Sequence, residues 1–400
     1  MPDLLAGVTV LDFSRVLAGP YCTRLLADLG ARVIKVERPG HGDDTRRGYL
    51  QLDPTRTDQA TYFIRVNAGK ESVGLDLAHP DGRAVALELA RHADVLVENF
   101  LPGTFEKWGL GWEVLSADNP RLVFARVSGW GQDGPYRDRP GFGTMVEAMS
   151  GFAAATGEAD GPPTLPSFPM ADMIAALSAT TAVLAALRHR DHVSGRGQVI
   201  DVSLYEPLLS VLGPAAAGYA LDGTVAVRRG NSSDNASPRG TYQTREGKWV
   251  ALSASTPASA AALFAGLGLS ELLADPRFAT NDARVAHNDL VDAALSGAIG
   301  SRTLDEMVRL FETANLTASP VYDSADIAKD PHVAGRGILV DVPDAELGCV
   351  RMTAPTPRLA ETPATIRSAG PPLGAHNRDV YREIGIDDTE LENLSREGIV

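Results

Sequence analysis

The sequence predicts an α/β fold: a parallel sheet with helices on both faces, followed by a second, smaller domain. Three observations lead there. Strand-like and helix-like patterns alternate through the first third of the chain. A polar passage rich in Gly, Ser, Asn and Pro occupies residues 228–240, and amphipathic helices dominate beyond it. The 400 residues are enough for about two or three domains.

The elements follow in order. Residues 7–13 read as a strand, 20–29 as a helix closed by Gly30, and 32–36 as a second strand. Residues 72–77 form another short strand, 80–92 a helix, and 94–98 and 122–127 two further strands. In such sheets ligands bind at the carboxyl ends of the strands. The Gly- and Pro-rich stretches 129–143 and 155–170 read as loops. An apolar helix then begins around Asp172. It carries no ionisable group from Met173 to Leu187, so most of its faces should be buried. A strand at 198–202 follows Gly195-Arg196-Gly197. Residues 228–240 read as a linker or lid. The smaller α+β domain opens with a strand at 248–252 and continues through helices near 257–268, 281–299 and 303–315. Residues 355–372 are Pro-rich and extended, and the helical segment 377–400 is expected to pack back on the first domain. The expected divisions are therefore a large domain over 1–227, a small domain over 228–330, and a return segment over 331–400.

The formal net charge of −14 argues against nucleic acid or an anionic membrane surface as a partner, so an anionic ligand needs a local cationic site. Cys22 and Cys349 lie in no metal-ligand spacing and make no disulfide framework, which points to a reducing, cytoplasmic setting. The amino terminus lacks a basic region followed by a long apolar core, so no signal peptide is expected. The apolar run from Met173 to Leu187 is too short to span a bilayer easily. The eight histidines show no metal-binding spacing, and no metal is expected.

Asp172 is the candidate nucleophile. Its bland reading is a helix cap that accepts hydrogen bonds from the first free amides. Its functional reading is a carboxylate kept ionised by the helix N-terminus while partly desolvated, and therefore reactive. Gly129-Trp130-Gly131-Gln132-Asp133-Gly134 has the letters of a dinucleotide fingerprint, but Pro135 and Pro140 follow where a helix should start. A sheet without that phosphate loop suggests an adenine nucleotide held by side-chain cations. Arg15, Arg38 and Lys107 all follow strands and can converge at the carboxyl edge. Cys22 reads as a small core residue.

Several runs together resemble the family III coenzyme A transferases. They are Leu11-Asp12-Phe13 with Ala18-Gly19-Pro20, Val33-Ile34-Lys35-Val36-Glu37-Arg38-Pro39-Gly40, Asp94-Val95-Leu96-Val97-Glu98-Asn99-Phe100-Leu101-Pro102-Gly103, Ser128-Gly129-Trp130-Gly131 and Asp275-Pro276-Arg277-Phe278. The resemblance keeps its order over nearly the whole chain. It implies a Rossmann-like large domain that takes both chain ends, a small domain, and an interlocked, ring-like homodimer. It implies no tightly bound cofactor, with coenzyme A or acyl-CoA as substrate and a small carboxylic acid as acceptor. The family's nucleophilic aspartate falls on Asp172. Val16, Ala18, Arg38, Leu75, Asn99 and Phe100 match the family's coenzyme A contacts. Lys107 stands where an arginine is common, keeping the charge but not the bidentate fork.

The chain departs from the formyl-CoA:oxalate type. That type has a Gln near Leu17, a Tyr near Phe142 and a glycine-rich lid where residues 231–237 stand here, so oxalate is not the expected acceptor. Arg228, Arg229 and Arg239 flank that segment, and one of them is expected to read a second carboxylate. Racemases of the same superfamily need a His in the loop matching Pro140-Gly141-Phe142-Gly143, and none is present. A non-catalytic coenzyme A binder is the third alternative.

Overall fold

The computed structural model describes residues 3–47, 50–51, 55 and 58–400. The chain divides into two compact units. One comprises Met1–Gly151, Pro166–Pro214 and Arg336–Val400, and the other Phe152–Leu165 and Ala215–Gly335. The sequence reading placed Phe152–Leu165 and the helix Ala215–Asp222 in the large domain, whereas the structure assigns both to the second unit.

The first unit is built on six strands: β1 Thr9–Asp12, β2 Arg32–Glu37, β3 Glu71–Gly74, β4 Val95–Glu98, β5 Val123–Ser128 and β6 Val199–Ser203. They lie in the order β3-β2-β1-β4-β5-β6, and every pairing is parallel. The order reverses between β1 and β4, which opens a crevice at their carboxyl ends. Adjacent apolar residues in each strand face opposite ways. Val10, Val33, Val95 and Val123 enter one core with Cys22, Leu26, Ala175, Ala179 and Val183. Leu11, Ile34, Leu96 and Phe124 enter the other with Phe13, Leu89, Phe105 and Tyr381. Both faces being covered is why these strands read as continuous Val/Ile/Leu runs.

Most predicted elements occur within a residue or two of their expected limits. Short ones were missed: the helices Thr61–Asn67, Trp112–Asp118 and Gly143–Met149, and a hairpin of Leu339–Asp344 with Gly348–Thr353. None is long enough to show a repeating apolar pattern over several turns. The apolar helix runs Met170–His189 and continues as a π-helical turn to Ser194. It is longer than its uncharged stretch implied, and Met170–Ser194 is long and apolar enough to cross a membrane by length and composition. Within its unit it packs against the helix Ala18–Asp28 through Ala175, Ala179 and Val183, while Leu177, Ser178, Thr181 and Ala185 form an exposed stripe. Cys22 is fully buried in that packing, and burial pushes its thiol up to about 12, as befits a core residue.

The carboxyl-terminal segment returns to the first unit and covers the exposed edge of β3. The Ser72 amide donates to His376 Nδ1 at 3.1 Å, and the His376 amide to the Ser72 carbonyl at 3.0 Å. The Gly74 amide donates to Asn377 Oδ1 at 2.8 Å, and the Tyr381 hydroxyl to the Gly74 carbonyl. The edge strand thereby loses its free backbone donors and acceptors.

The second unit holds a three-stranded antiparallel sheet of β7 Arg239–Gln243, β8 Trp249–Ser253 and β9 Ala318–Pro320. The helices Pro257–Leu267, Asn288–Gly300 and Leu304–Thr313 pack on it around Tyr242, Val250, Phe264, Leu295 and Phe311. The helix expected over 281–299 is broken at His287 into Asn281–Ala286 and Asn288–Gly300. Thr303 and Glu306 close a reciprocal capping box on the last helix.

Beneath the carboxyl edge of the large sheet lies a buried ionic lattice. Lys70 Nζ is 2.8 Å from Asp12 Oδ2, and Lys35 Nζ is 3.0 Å from Asp43 Oδ2. Asp12 also accepts from the Ser14 amide at 3.0 Å and the Thr23 hydroxyl at 2.7 Å. Burial raises the Asp12 carboxyl, but Lys70 and Lys35 outweigh it and hold the group at about 2. Removing one member of such a pair leaves a buried charge without a partner. Lys70→Met should therefore cost about 3–5 kcal/mol in chemical denaturation. A second change, Asp12→Asn, should return part of that loss, and a double mutant no more stable than Lys70→Met would disprove the coupling.

Candidate active site

The turn after β1 is held from both sides. The Arg15 amide donates to Asn99 Oδ1 at 2.8 Å, while Asn99 Nδ2 donates to the Arg15 carbonyl at 2.7 Å. The end of β4 thus clamps the end of β1. Val16 adopts φ 68°, a left-handed backbone that a β-branched residue rarely takes. Its amide is held by both carboxylate oxygens of Asp43, at 3.3 and 3.2 Å, and Asp43 is anchored in turn by Lys35. The Phe100 amide donates to Glu98 at 2.7 Å, and Glu98 pairs with Arg126 at 2.8 Å. Burial lifts the Glu98 carboxyl to about 7.

Two cavities open on this edge. One, of about 360 Å³, is lined by Val16, Ala18, Asn99, Phe100, Arg137, Arg139, Phe142 and Asp172, among others. The other, of about 340 Å³, is lined by residues that include Arg38, Asp43, Leu75 and Trp108. Arg15, Phe100 and Thr104 line both, so the two share a wall. The structure thus brings Val16, Ala18, Asn99 and Phe100 to Asp172, and Arg38 and Leu75 to the neighbouring cavity. Arg15 and Arg38 converge on Asp44, at 3.6 and 3.9 Å. Lys107 is exposed on the turn Thr104–Lys107 and lines neither cavity. Arg228 donates to the carbonyls of Glu158 and Ala154, and Arg239 to those of Asn231 and Ser232, all within the second unit. Among the described residues no cluster of His, Cys, Asp and Glu is arranged to hold a metal ion.

The loop after β5 explains the glycine-rich motif. A Cβ on Gly129 would lie 2.6 Å from the Gly141 Cα, and one on Gly141 would lie 2.8 Å from Trp130 Nε1. The two ends of the loop touch, so the motif is a loop closure, and no helix begins until Gly143.

Asp172 is the third residue of its helix. Pro169 occupies the cap position, and no side-chain cap bond forms. The free Ala171 amide donates instead to Glu147 Oε1 at 3.1 Å. Glu147 is 3% exposed and sits on the helix Gly143–Met149. Gly143 is the close neighbour on the same helix, since a Cβ there would lie 2.3 Å from Asp172 Oδ2. The Asp172 carboxylate is partly desolvated, as expected, and the helix mouth does not offset that cost in full. Burial first, and the Glu147 carboxylate second, lift Asp172 to about 6. A group at that value is about nine-tenths ionised at pH 7. Glu147 and Gly143 were missed from the sequence. Glu147 did carry a signal of the kind that singles out Asp172, being the one ionisable residue between 140 and 157.

A model of the family described as CoA-transferase family III matches residues 5–377. The chain belongs to this family. It is 38% identical to the succinyl-CoA–D-citramalate CoA-transferase of Chloroflexus aurantiacus, covering 100% of this chain and 98% of that one. It is 41% identical to the β subunit of the succinyl-CoA–L-malate CoA-transferase of the same organism, over 99% and 98% of the two chains. The crystal structure of a CaiB/BaiF family protein from Brucella suis superposes with a TM-score of 0.85 at 33% identity, covering 96% of this chain and 100% of that one. The protein is therefore a family III CoA-transferase, with acyl-CoA as a substrate.

A nucleophilic role for Asp172 requires the ionised carboxylate, so on that role activity should fall as pH drops through about 6. Glu147→Gln removes one cause of the raised value and should move the acid limb of kcat/KM to lower pH. A limb that stays in place would show that Glu147 does not act on Asp172. Gly143→Ala should displace the Asp172 carboxylate and cut kcat about 100-fold or more, while circular dichroism reports an unchanged fold.

Proposed function

We propose that this CoA-transferase moves coenzyme A from an acyl-CoA to a dicarboxylic acid through covalent intermediates on Asp172. The observation that carries this reading is that Asp172 is, among the described residues, the single carboxylate lining its cavity, half-buried and mostly ionised near neutrality. Desolvation raises its energy as a charge and so favours its use as a nucleophile.

The steps balance without an external energy source. The Asp172 carboxylate attacks the thioester carbonyl, forming an aspartyl-acyl anhydride and expelling the coenzyme A thiolate. The thiolate attacks the aspartyl carbonyl of that anhydride, forming an aspartyl-CoA thioester and releasing the first acid. The acceptor carboxylate attacks this thioester, giving a second anhydride and the thiolate. Attack of the thiolate on the acceptor's acyl carbon yields the new acyl-CoA and restores Asp172. Each addition creates an oxyanion, which hydrogen-bond donors aimed at that position would stabilise. Arg15 and Arg38 lie on the neighbouring cavity, where a phosphate-bearing tail of coenzyme A would meet positive charge.

The dicarboxylate assignment is supported by relatives named for succinyl-CoA, citramalate and malate. Proton abstraction is the weaker reading, because no histidine lines the Asp172 cavity. A homodimer belongs to the same proposal, and light scattering that reports the mass of a single chain would refute it.

Incubation with succinyl-CoA followed by hydroxylamine should leave a hydroxamate on the peptide carrying Asp172, seen by mass spectrometry. An unmodified peptide despite turnover would rule out covalent catalysis. Turnover in deuterium oxide should put no label on the acyl α-carbon, whereas a racemase would wash it in.

A further inference from the structure

Among the described residues three arginines line the cavity of Asp172, and two of them already face a carboxylate. Arg15 is 3.6 Å from Asp44, and Arg137 Nε is 3.4 Å from Asp138 Oδ1. Arg139 pairs with no acid among the described residues. Its guanidinium instead lies 3.8 Å from the centre of the Tyr136 ring. Stacking of that kind takes the flat face of the group and leaves its N–H edges available for a ligand.

The stack is itself fixed. Tyr136 packs edge-on against Trp130, with ring centres 5.8 Å apart, and Trp130 lies 5.8 Å from Tyr205, which follows β6. Trp130 Nε1 donates to the Pro140 carbonyl at 3.3 Å, next to Arg139, and the Arg139 amide donates to the Tyr136 carbonyl at 2.9 Å. The contact between Gly129 and Gly141 closes the loop around these residues. The cation is thus set in place before any substrate arrives, which limits the ordering cost of binding.

We propose that Arg139 is a specificity-determining residue that holds the distal carboxylate of a dicarboxylic acyl group in the Asp172 cavity. This assignment rests on the dicarboxylate reading above. A dicarboxylic substrate brings a second negative charge beside an anionic nucleophile, and a fixed cation on the same wall offsets the repulsion. The planar fork of a guanidinium matches a carboxylate with two parallel hydrogen bonds. A monocarboxylic acyl group of the same length gains nothing from it.

The test compares succinyl-CoA with butyryl-CoA, which has a methyl group in place of the distal carboxylate. Arg139→Gln should lower kcat/KM for succinyl-CoA about 100-fold and for butyryl-CoA less than about threefold. Arg139→Lys keeps the charge and loses the fork, so it should restore part of the preference. Equal losses with both donors, in a wild-type enzyme that prefers succinyl-CoA, would overturn the role of Arg139 and leave the dicarboxylate reading standing. A wild-type enzyme that prefers butyryl-CoA would overturn both.

Discussion

The site stands on a set of charges that water does not reach. Asp12 with Lys70 and Lys35 with Asp43 lie almost wholly buried at the carboxyl ends of β1 and β2. Isolated, each charge would be prohibitively costly to bury; together they compensate one another and hydrogen-bond the backbone around them. Asp43 reaches from the lattice to the Val16 amide and holds that residue in a left-handed conformation it would otherwise avoid. The strained turn then presents Val16, Leu17 and Ala18 to the cavity of Asp172. The catalytic edge is therefore shaped by ion pairs in the layer below it, and the strain at Val16 is sustained by them.

The same logic of unequal solvation governs Asp172, the proposed nucleophile. A carboxylate at a helix N-terminus is ordinarily stabilised. At Asp172 that help is limited, because Glu147 takes the Ala171 amide and adds a negative charge of its own. Gly143, lacking a side chain, lets another backbone approach the carboxylate more closely than any other residue would allow. The result is an acid lifted to about 6, which is mostly ionised near neutrality yet poorly solvated, as the proposed nucleophilic role requires. The glycine-closed loop from Gly129 to Gly141 completes this wall and carries two of the three arginines that line it.

Much of the scaffold was legible because strand and helix periods act locally. The six strands of the large sheet, the helix carrying Asp172 and the return of the chain end were all visible as apolar patterns or ordered motifs. Asn99 and Phe100 were found through their motif, yet the motif did not show that the Asn99 amide group clamps the turn at Arg15. Lys107 was grouped with Arg15 and Arg38 because it follows a strand, and the one-turn helix it ends leaves it exposed, away from the cavity wall. The helix of Glu147 was hidden by its shortness. The arginines at 137 and 139 sat unremarked in a loop, since nothing in a linear spacing tells which loop residues face a strand end.

By itself, the sequence determined the alternation that makes a parallel sheet, the apolar helix that carries Asp172, and the ordered motifs that mark the family. These depend on neighbours a few positions away and on burial averaged over whole faces. Only the tertiary structure decided that Glu147, Gly143 and Arg139 meet the surroundings of Asp172. Proton affinity and substrate selection depend on distances of a few ångströms and on the exclusion of water. Chain closure sets both, bringing together residues that are some 25 to 35 positions apart.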